Sequence, residues 1–305
     1  MKLSVVIPTK NRPGSLARVL AALTPQLNAV PGGAEALVVD DGSEEPAEVP
    51  PGVVLLRQEA AGPAVARNAG AARAQGEVLL FLGDDTEPEA GFLAAHAAAH
   101  AARAPEQIAV LGFTSWDAER VSVTPFLRWL DAYGAQFGYA LLTDPENVPF
   151  RFFYTSNVSL PRRVFQAVGG FDTSFPEAAW EDVELAFRIF RERPAFRMVY
   201  EPRARARHDH PTDLPRFRAR QYRAGRAAAV LVGKHPELES LVGAPAFSKG
   251  RPFSSVLAGG LVSLVDGLGV SLPGRIYAAA IGWDAAAGLR DGLLTVRGGG
   301  RTLPG

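Results

Sequence analysis

The chain of 305 residues contains no cysteine, which excludes disulfide bonds, thiolate metal sites and cysteine nucleophiles. It also lacks an excess of either charge, because 32 basic residues balance 32 acidic ones, and nothing in this balance indicates a nucleic-acid partner. No charge-free apolar run is long enough to span a membrane, and the run before Pro8 is too short for the core of a signal peptide. We therefore expect a cytoplasmic protein.

Two common nucleotide-binding motifs are missing as well. The first predicted strand is followed by Pro8-Thr9-Lys10-Asn11-Arg12, with no G-x-G-x-x-G, which argues against a nicotinamide or flavin dinucleotide site. The phosphate-binding pattern G-x-x-x-x-G-K-[ST] is also absent. Any nucleotide bound by this chain is therefore expected to use other contacts.

Short apolar runs alternate with helical patterns along the first two hundred residues. The runs predict strands at residues 3–7, 36–39, 53–56, 78–82 and 108–113, with two shorter ones at 197–200 and 204–207. Helical spacing predicts helices that start near Pro13 and that cover residues 63–74, 89–103, 162–168, 182–192 and 214–232. This alternation is typical of an α/β fold with a mostly parallel sheet and helices on both faces.

Two parts of the chain are less regular. Residues 253–294 are apolar and glycine-rich, and we interpret them as a helical C-terminal appendage whose apolar surface forms core or a dimer contact. Residues 114–153 fit either a substrate-facing lobe or an irregular packed insertion. Their aromatic side chains follow no clean period: Trp116, Trp129, Tyr133, Phe137 and Tyr139.

Acidic pairs follow two of the predicted strands. Asp40 and Asp41 could accept hydrogen bonds from a base or a ribose, although a plain Asp-Gly turn is the simpler interpretation. Asp84 and Asp85 repel each other unless a cation or hydrogen bonds compensate, and Mg²⁺ and Mn²⁺ prefer such oxygen ligands. Helix capping is the alternative explanation for this second pair. Because ligands lie beyond the carboxyl ends of parallel strands, the acids are expected to converge on one cleft.

Other segments offer a base, a cation or metal ligands. Glu181 and Asp182 open a predicted helix, where one of them could act as a general base or both could simply complement the helix dipole. Arg67 either donates to a nucleotide or points outward from a tightly packed helix. His208 and His210 are candidate ligands or bases, although histidines near a turn are often neither.

Six segments follow one another in a characteristic order: Val5-Val6-Ile7-Pro8-Thr9-Lys10-Asn11-Arg12, Val38-Val39-Asp40-Asp41-Gly42-Ser43, Ala66-Arg67-Asn68-Ala69-Gly70, Phe81-Leu82-Gly83-Asp84-Asp85, Gly169-Gly170-Phe171-Asp172 and Glu181-Asp182-Val183-Glu184-Leu185. In this order the chain resembles family 2 glycosyltransferases over about residues 2 to 210. The resemblance implies the A-type glycosyltransferase fold, a Rossmann-like, mostly parallel sheet flanked by helices. It also implies inverting transfer from a nucleotide diphosphate sugar, assisted by Mg²⁺ or Mn²⁺.

The resemblance also assigns roles by motif position. Asp182, paired with Glu181, matches the catalytic base. Asp85 matches the last acid of the family's D-x-D motif and would bind the metal, although Gly83 replaces the first acid. His208, with His210 as competitor, falls near a further metal ligand. The donor-binding residues would be Pro8, Thr9, Arg12, Asp40, Asp41, Arg67, Asp84 and Asn157.

These roles describe a hexosyltransferase-type enzyme for cell-wall or polysaccharide biosynthesis. The resemblance implies UDP as the first choice of donor nucleotide, with GDP or dTDP as alternatives, and a saccharide or lipid-linked acceptor. We expect a catalytic domain at residues 1–240, with a nucleotide-binding half at 1–113 and an acceptor-side half at 114–240, and a helical extension at 241–305.

Three further questions are left open by the sequence. The arginine-rich helix at residues 214–232 is interpreted as a solvated face, with peripheral contact to anionic lipid at the inner membrane face as the alternative. A homodimer is compatible with the apolar C-terminal segment. The rival functions are a nucleotidyltransferase, whose glycine-rich phosphate loop is not seen at residues 8–15, and a non-catalytic nucleotide-sugar-binding protein.

Overall fold

Eight strands form one sheet in the computed structural model, which describes residues 1–103, 107–134, 136–175, 178–243, 252–266 and 268–298. The order across the sheet is β3-β2-β1-β4-β7-β6-β8-β5. Strands β7 and β5 run antiparallel to their neighbours and the other strands share one direction, so the predicted mostly parallel sheet is confirmed. The strands are β1 (Leu3–Thr9), β2 (Ala34–Asp41), β3 (Val53–Gln58), β4 (Val78–Leu82), β5 (Thr86–Pro88), β6 (Ile108–Trp116), β7 (Asn157–Pro161) and β8 (Arg197–His208).

Helices cover both faces of this sheet because its central strands are apolar on both sides. Val6 and Leu79 pack into one core cluster with residues of α2, α5 and α6, whereas Val5, Ile7 and Leu80 pack into another with α1 and α3. The helices are α1 (Pro13–Leu23), α2 (Pro63–Arg73), α3 (Phe92–Ala101), α4 (Pro125–Tyr133), α5 (Arg162–Ala167), α6 (Glu181–Glu192), α7 (Leu214–Lys234), α8 (Glu239–Gly243), α9 (Pro252–Asp266), α10 (Gly274–Ile281) and α11 (Asp284–Gly298).

The long strand β8 corrects the prediction of two short strands separated by Pro202-Arg203. Its pairing with β6 shifts register between Gly112 and Phe113, so that Pro202, Arg203 and Ala204 have no partner on β6. A proline lacks the N–H that a ladder needs, and at such an irregularity its absence breaks no bond. The chain therefore stays extended through a residue that usually ends a strand.

Strands β5 and β7 were not predicted from the sequence. The first has three residues, too few for a recognisable pattern. The second is fully buried but carries the polar residues Asn157 and Ser159, which mask its apolar character. Helix α4 was also missed inside the irregular aromatic part of the chain.

Helix α2 lies very close to the sheet, as its small residues predict. A Cβ atom added to Gly70 would lie 2.5 Å from Cγ1 of Val6 and 3.1 Å from Cγ2 of Val39. Any side chain there would push the helix away from β1 and β2. This close approach fixes the position of the helix that carries Arg67.

The contacts divide the chain into two units. The first comprises Met1–Val121, Phe137–Thr173 and Glu181–His210, and it contains the sheet. The second comprises the described residues of Ser122–Gln136, Ser174–Trp180 and Pro211–Gly305.

The second unit contains α4 and the helices from α7 onward, so the predicted helical C-terminal part is confirmed. Helices α7 and α11 touch backbone to backbone: a Cβ atom added to Gly288 would lie 2.0 Å from the carbonyl oxygen of Tyr222. The predicted boundary at residue 240 stays a prediction, and residues 244–251, 267 and 299–305 of the predicted extension lie outside the described residues. Among the described helices, none is both long enough and apolar enough to cross a membrane.

Candidate active site

Three of the predicted donor-binding residues meet where β1 and β4 end side by side. The Thr9 hydroxyl donates to Oδ2 of Asp84 at 2.8 Å, and Nη1 of Arg12 donates to Oδ1 of the same carboxylate at 3.1 Å. Pro8 precedes them on β1 and is half-buried. Burial raises the pKa of Asp84, and the neighbouring charge of Asp85 raises it further, against the opposing effect of Arg12. The parallel pairing of β1 with β4 therefore forms a polar site with a cation on its rim.

The candidate metal ligands come together because β5 pairs with β8. Thr86 lies opposite His208 in that pairing, so the turn after β4 brings Asp85 to the end of β8. Nε2 of His208 lies 3.5 Å from Oδ1 of Asp85, and Nδ1 of His210 lies 3.5 Å from Oδ2. The structure thus brings together all three residues that the sequence proposed as ligands.

Asp209 holds the two histidines on either side of Asp85. Its backbone N–H donates to the carbonyl oxygen of Asp85 at 2.7 Å, and its carboxylate forms an ion pair with Arg18 of α1. The segment 208–210 is therefore fixed both by the backbone and by the side chain of Asp209, whose role was not identified from the sequence.

The charge at Asp85 is balanced by its neighbours. Burial would raise the pKa of Asp85, but His210, His208 and Arg12 outweigh this effect and hold the pKa well below its usual range. Nη1 of Arg12 donates to Oδ2 of Asp85 at 2.5 Å. Asp85 is consequently a carboxylate at neutral pH, the form that binds metal.

The carboxylate of Asp85 is a ligand that suits Mn²⁺ or Mg²⁺, whereas the imidazole nitrogens beside it are ligands that other transition metals favour more. In the described ranges, no group of three or more histidine, aspartate or glutamate side chains forms a ready-made metal site. The residues therefore fit an ion held partly by Asp85 and partly by the phosphate oxygens of a bound substrate, the usual arrangement for such ions at nucleotide sites.

The two acids at the end of β2 hold the loops beside the strand ends. Oδ1 of Asp40 accepts from the backbone N–H of Ser43 at 2.8 Å, and Oδ2 of Asp41 accepts from that of Gly62 at 2.9 Å. The remaining oxygen of each carboxylate also accepts a backbone hydrogen bond. Their predicted contact with a nucleotide stays a prediction, and the structure gives both a role in shaping the loops.

Asn157 lies inside the protein, in a buried polar network with α3. Its Oδ1 is 2.9 Å from Nε2 of His96, and its Nδ2 donates to two carbonyl oxygens. The Oγ of Ser159 lies 2.9 Å from Nδ1 of His96 and 2.9 Å from Nε2 of His100. Since the amide of Asn157 is fully buried and fully bonded, the structure places it in the support of the sheet and not on an open surface.

The candidate base lies at the start of α6. Asp182 is half-buried, and its Oδ1 accepts from the backbone N–H of Val183 at 2.8 Å. Beside it, Glu181 is buried and forms an ion pair with Arg67, with Nη1 2.9 Å from Oε1. Burial and the charge of Glu181 raise the pKa of Asp182 to about 7, although Arg67 acts in the opposite direction. A carboxyl group with such a pKa can exchange protons near neutral pH.

An aromatic group lies next to His208, one of the candidate metal ligands. The ring of Phe137 lies 5.1 Å from that of His208 and 6.3 Å from that of Tyr154, measured between centroids. The Tyr154 hydroxyl accepts from the backbone N–H of Gly138, and burial together with the charge of Asp182 raises the pKa of Tyr154. Phe137 therefore contacts both His208 and Tyr154, and Tyr154 lies within the electrostatic influence of Asp182.

Tyr154 and this connecting role were missed in the sequence. The signal was the density of aromatic residues at 114–153, which fitted a substrate-facing lobe equally well as an irregular insertion. Phe137 also has a positive φ of 45°, a conformation that bulky residues rarely adopt and that often marks functional sites.

The model of glycosyl transferase family 2 matches residues 4–169, more than half of the chain. The chain therefore belongs to this family.

Two curated relatives support the same assignment. Pre-mycofactocin glycosyltransferase of Mycobacterium tuberculosis (strain CDC 1551 / Oshkosh) is 29% identical over 243 residues, which cover 77% of this chain and 48% of that protein. Validoxylamine A glucosyltransferase of Streptomyces hygroscopicus subsp. limoneus is 34% identical over 222 residues, which cover 61% of this chain and 47% of that protein. The chain thus spans about half the length of these relatives.

A solved structure shares the fold. The mannosyltransferase PcManGT from Pyrobaculum calidifontis, in complex with GDP-Man and Mn²⁺, superposes with a TM-score of 0.60 at 18% identity. The match covers 96% of this chain and 87% of that chain. At this identity the likeness shows the fold alone, and it confirms the A-type glycosyltransferase fold.

Proposed function

We propose that the chain transfers a sugar from a nucleotide diphosphate donor to an acceptor hydroxyl, with inversion at the anomeric carbon. The observation that supports the proposal is the chain of ring contacts from His208 through Phe137 to Tyr154, whose pKa is raised by burial and by the charge of Asp182. In support of the proposal, Asp182 has a raised pKa, whereas Asp85, which is flanked by two imidazoles, has a lowered pKa. Two acids in different protonation regimes are the arrangement that general-base catalysis beside a cation site requires.

Asp182 is the proposed general base. It takes the proton of the acceptor hydroxyl while the hydroxyl oxygen forms a bond to the anomeric carbon and the bond to the nucleotide diphosphate breaks. One displacement of this kind inverts the anomeric carbon and needs no covalent intermediate on the protein. With a pKa of about 7, Asp182 is partly ionised at neutral pH and is basic enough to accept a proton.

The donor is proposed to lie against the ends of β1 and β4, with Pro8, Thr9, Arg12 and Asp84 as its neighbours. Arg12 contributes a fixed positive charge there through its contacts with both acids. Asp85 would hold Mn²⁺ or Mg²⁺ together with the phosphate oxygens of the donor, with His208, or His210 as its competitor, as a further ligand. Such an ion supplies Lewis-acid stabilisation of the charge that develops on a leaving diphosphate.

The substrate classes follow the family and its named members. UDP, GDP and dTDP sugars are the proposed donors, and a saccharide or lipid-linked hydroxyl is the proposed acceptor. The solved relative was crystallised with GDP-Man, and one curated relative is named a glucosyltransferase. A calorimetric screen of the three nucleotide diphosphates, each with and without Mn²⁺, identifies the nucleotide before any sugar is tested.

The base assignment is tested with Asp182→Asn, which keeps the shape of the side chain and removes its basicity. On the nucleotide sugar selected by the screen, transfer or slow donor hydrolysis should fall about 10²–10⁴-fold, the usual contribution of a general base. Donor binding by calorimetry should stay within about twofold. Asp144→Asn, at an exposed turn of the first unit, is the matched control and should keep wild-type activity.

Activity of the Asp182→Asn variant near the wild-type level would remove the base from the mechanism. A wild-type protein that binds the donor tightly but neither transfers nor hydrolyses it would favour the alternative of a non-catalytic nucleotide-sugar-binding protein.

A further inference from the structure

Helix α2 contacts the two segments that lead to the candidate base. Nδ2 of Asn68 donates to the carbonyl oxygen of Phe171 at 2.8 Å, and the N–H of Phe171 donates back to Oδ1 of Asn68 at 2.9 Å. One residue earlier, Nη1 of Arg67 donates to Glu181 at 2.9 Å, and its guanidinium lies 5.5 Å from the ring centroid of Phe171. Two neighbouring residues of one helix thus hold the segment after α5 and the start of α6.

The Arg67 side chain is directed into the protein. It is only 12% exposed, and the Glu181 side chain that it contacts is 4% exposed. Since α2 is held against the sheet at Gly70, Arg67 cannot reach outward without breaking this ion pair. These contacts differ from the outward or nucleotide-facing arginine that the sequence suggested.

The ion pair is incompletely satisfied. Within the described residues, Oε2 of Glu181 and Nε of Arg67 are buried and have no hydrogen-bond partner. A buried pair that served stability alone would need those additional bonds to offset its desolvation. The uncompensated carboxylate oxygen leaves negative charge beside Asp182, which is the next residue of the chain.

We propose that Arg67 and Glu181 are positioning residues, which fix the start of α6 and set the electrostatic environment of Asp182, and that Arg67 does not bind the donor nucleotide. This inference rests on the proposed role of Asp182 as base. It assigns the Arg67-Asn68 pair of α2 to the base side of the site.

Among the described residues, Glu181, Arg67 and Tyr154 are the ionisable groups that interact electrostatically with Asp182. Glu181 on α6 raises the pKa of Asp182, Arg67 on α2 lowers it, and the half-buried Tyr154 before β7, whose pKa is raised, is uncharged at neutral pH. Removal of the negative charge of Glu181 and removal of the positive charge of Arg67 should therefore move the acidic limb of the pH–rate profile in opposite directions.

The experiment measures kcat and the donor KM of the full chain from pH 5.5 to 9. In Glu181→Gln, the acidic limb of kcat should move about one pH unit lower, because a charge close to Asp182 is lost. In Arg67→Met it should move about one unit higher, because the two acids then share their protons without a cation. The donor KM should stay within about twofold in both variants.

Arg73→Met, at an exposed position of the same helix, is the matched control and should leave the profile unchanged. A donor KM raised more than about tenfold in Arg67→Met, with an unchanged profile, would overturn the inference in favour of nucleotide binding. Should Arg67→Met fail to fold, Glu181→Gln decides alone, since glutamine keeps an oxygen for Arg67. An inactive wild type would instead overturn the proposed function, and the inference with it.

Discussion

The buried histidines of α3 predict that acid destabilises the protein through the network described above. Burial lowers the pKa of His96 to about 4 and that of His100 to about 3, while an unfolded histidine titrates near 6.5. The folded protein therefore keeps both rings neutral, and the unfolded chain gains protons as the pH falls below about 6.5. The contribution of the two neutral histidines to the free energy of unfolding is therefore complete above pH 6.5, and it is lost as the pH falls toward 4.

The expected magnitude follows from these values. Between pH 7 and pH 5 a histidine in the unfolded chain becomes almost fully protonated. For each histidine that stays neutral in the folded state, the free energy of unfolding of the protein falls by about 2 kcal/mol over this interval. Asp182 has the opposite sign, because a carboxyl group with a folded pKa of about 7 takes up its proton earlier in the folded state. That group adds about 2 kcal/mol over the same interval and masks part of the histidine effect.

The assay must therefore compare two proteins. Urea unfolding of the wild type and of His100→Gln is measured at pH 8, 7, 6 and 5. Glutamine can replace the single hydrogen bond that His100 makes, which joins its Nε2 to Oγ of Ser159. The wild type should lose about 2 kcal/mol more than the variant between pH 7 and pH 5, while the difference between the two proteins should be constant from pH 7 to pH 8. Parallel pH curves across the whole range would refute a neutral, buried His100.

Three further outcomes are expected. Gly288→Ala should destabilise the second unit by about 1–3 kcal/mol in a thermal melt, because α7 and α11 would have to separate. Gly233→Ala, at an exposed position of α7, is the control and should be neutral or stabilising. Equal effects of the two substitutions would contradict the close contact between these helices. Asp85→Ala should abolish the gain in nucleotide diphosphate affinity that Mn²⁺ gives the wild type in calorimetry, and an unchanged gain would remove Asp85 as ligand. Tyr154→Phe should lower kcat less than about tenfold, since one neutral hydrogen bond is lost, and Tyr154→Ala should lower it further; an active alanine variant would argue against the aromatic group as part of the site.

The strand ends of the first half could be predicted from the sequence because each depends on a local pattern. The apolar runs before Pro8 and before Gly83 predict two parallel strands, β1 and β4. The carboxyl ends of these two strands necessarily lie on the same edge of the sheet. The meeting of Thr9, Arg12 and Asp84 follows from that geometry. These patterns predicted the mostly parallel sheet, whereas the A-type glycosyltransferase fold was implied by the family resemblance.

The other contacts depend on long-range pairing, which leaves little local trace. The three residues of β5 are enough to bring Asp85 close to His208. So short a strand has no recognisable pattern in the sequence. Asn157 looked available to a ligand because polar residues are usually exposed, whereas His96 satisfies it inside the protein. The partner of Arg67 was equally hidden, since Glu181 follows far along the chain.

The pairing of β5 with β8 has a thermodynamic consequence for any cation held at its end. Asp85 and His208 approach each other only when Thr86 has docked opposite His208, so the open form of this short ladder lacks the site. A bound ion would then resist opening in proportion to its own affinity. Amide hydrogen exchange at Thr86 and Glu87 should slow with rising Mn²⁺ concentration before exchange in the central strands responds.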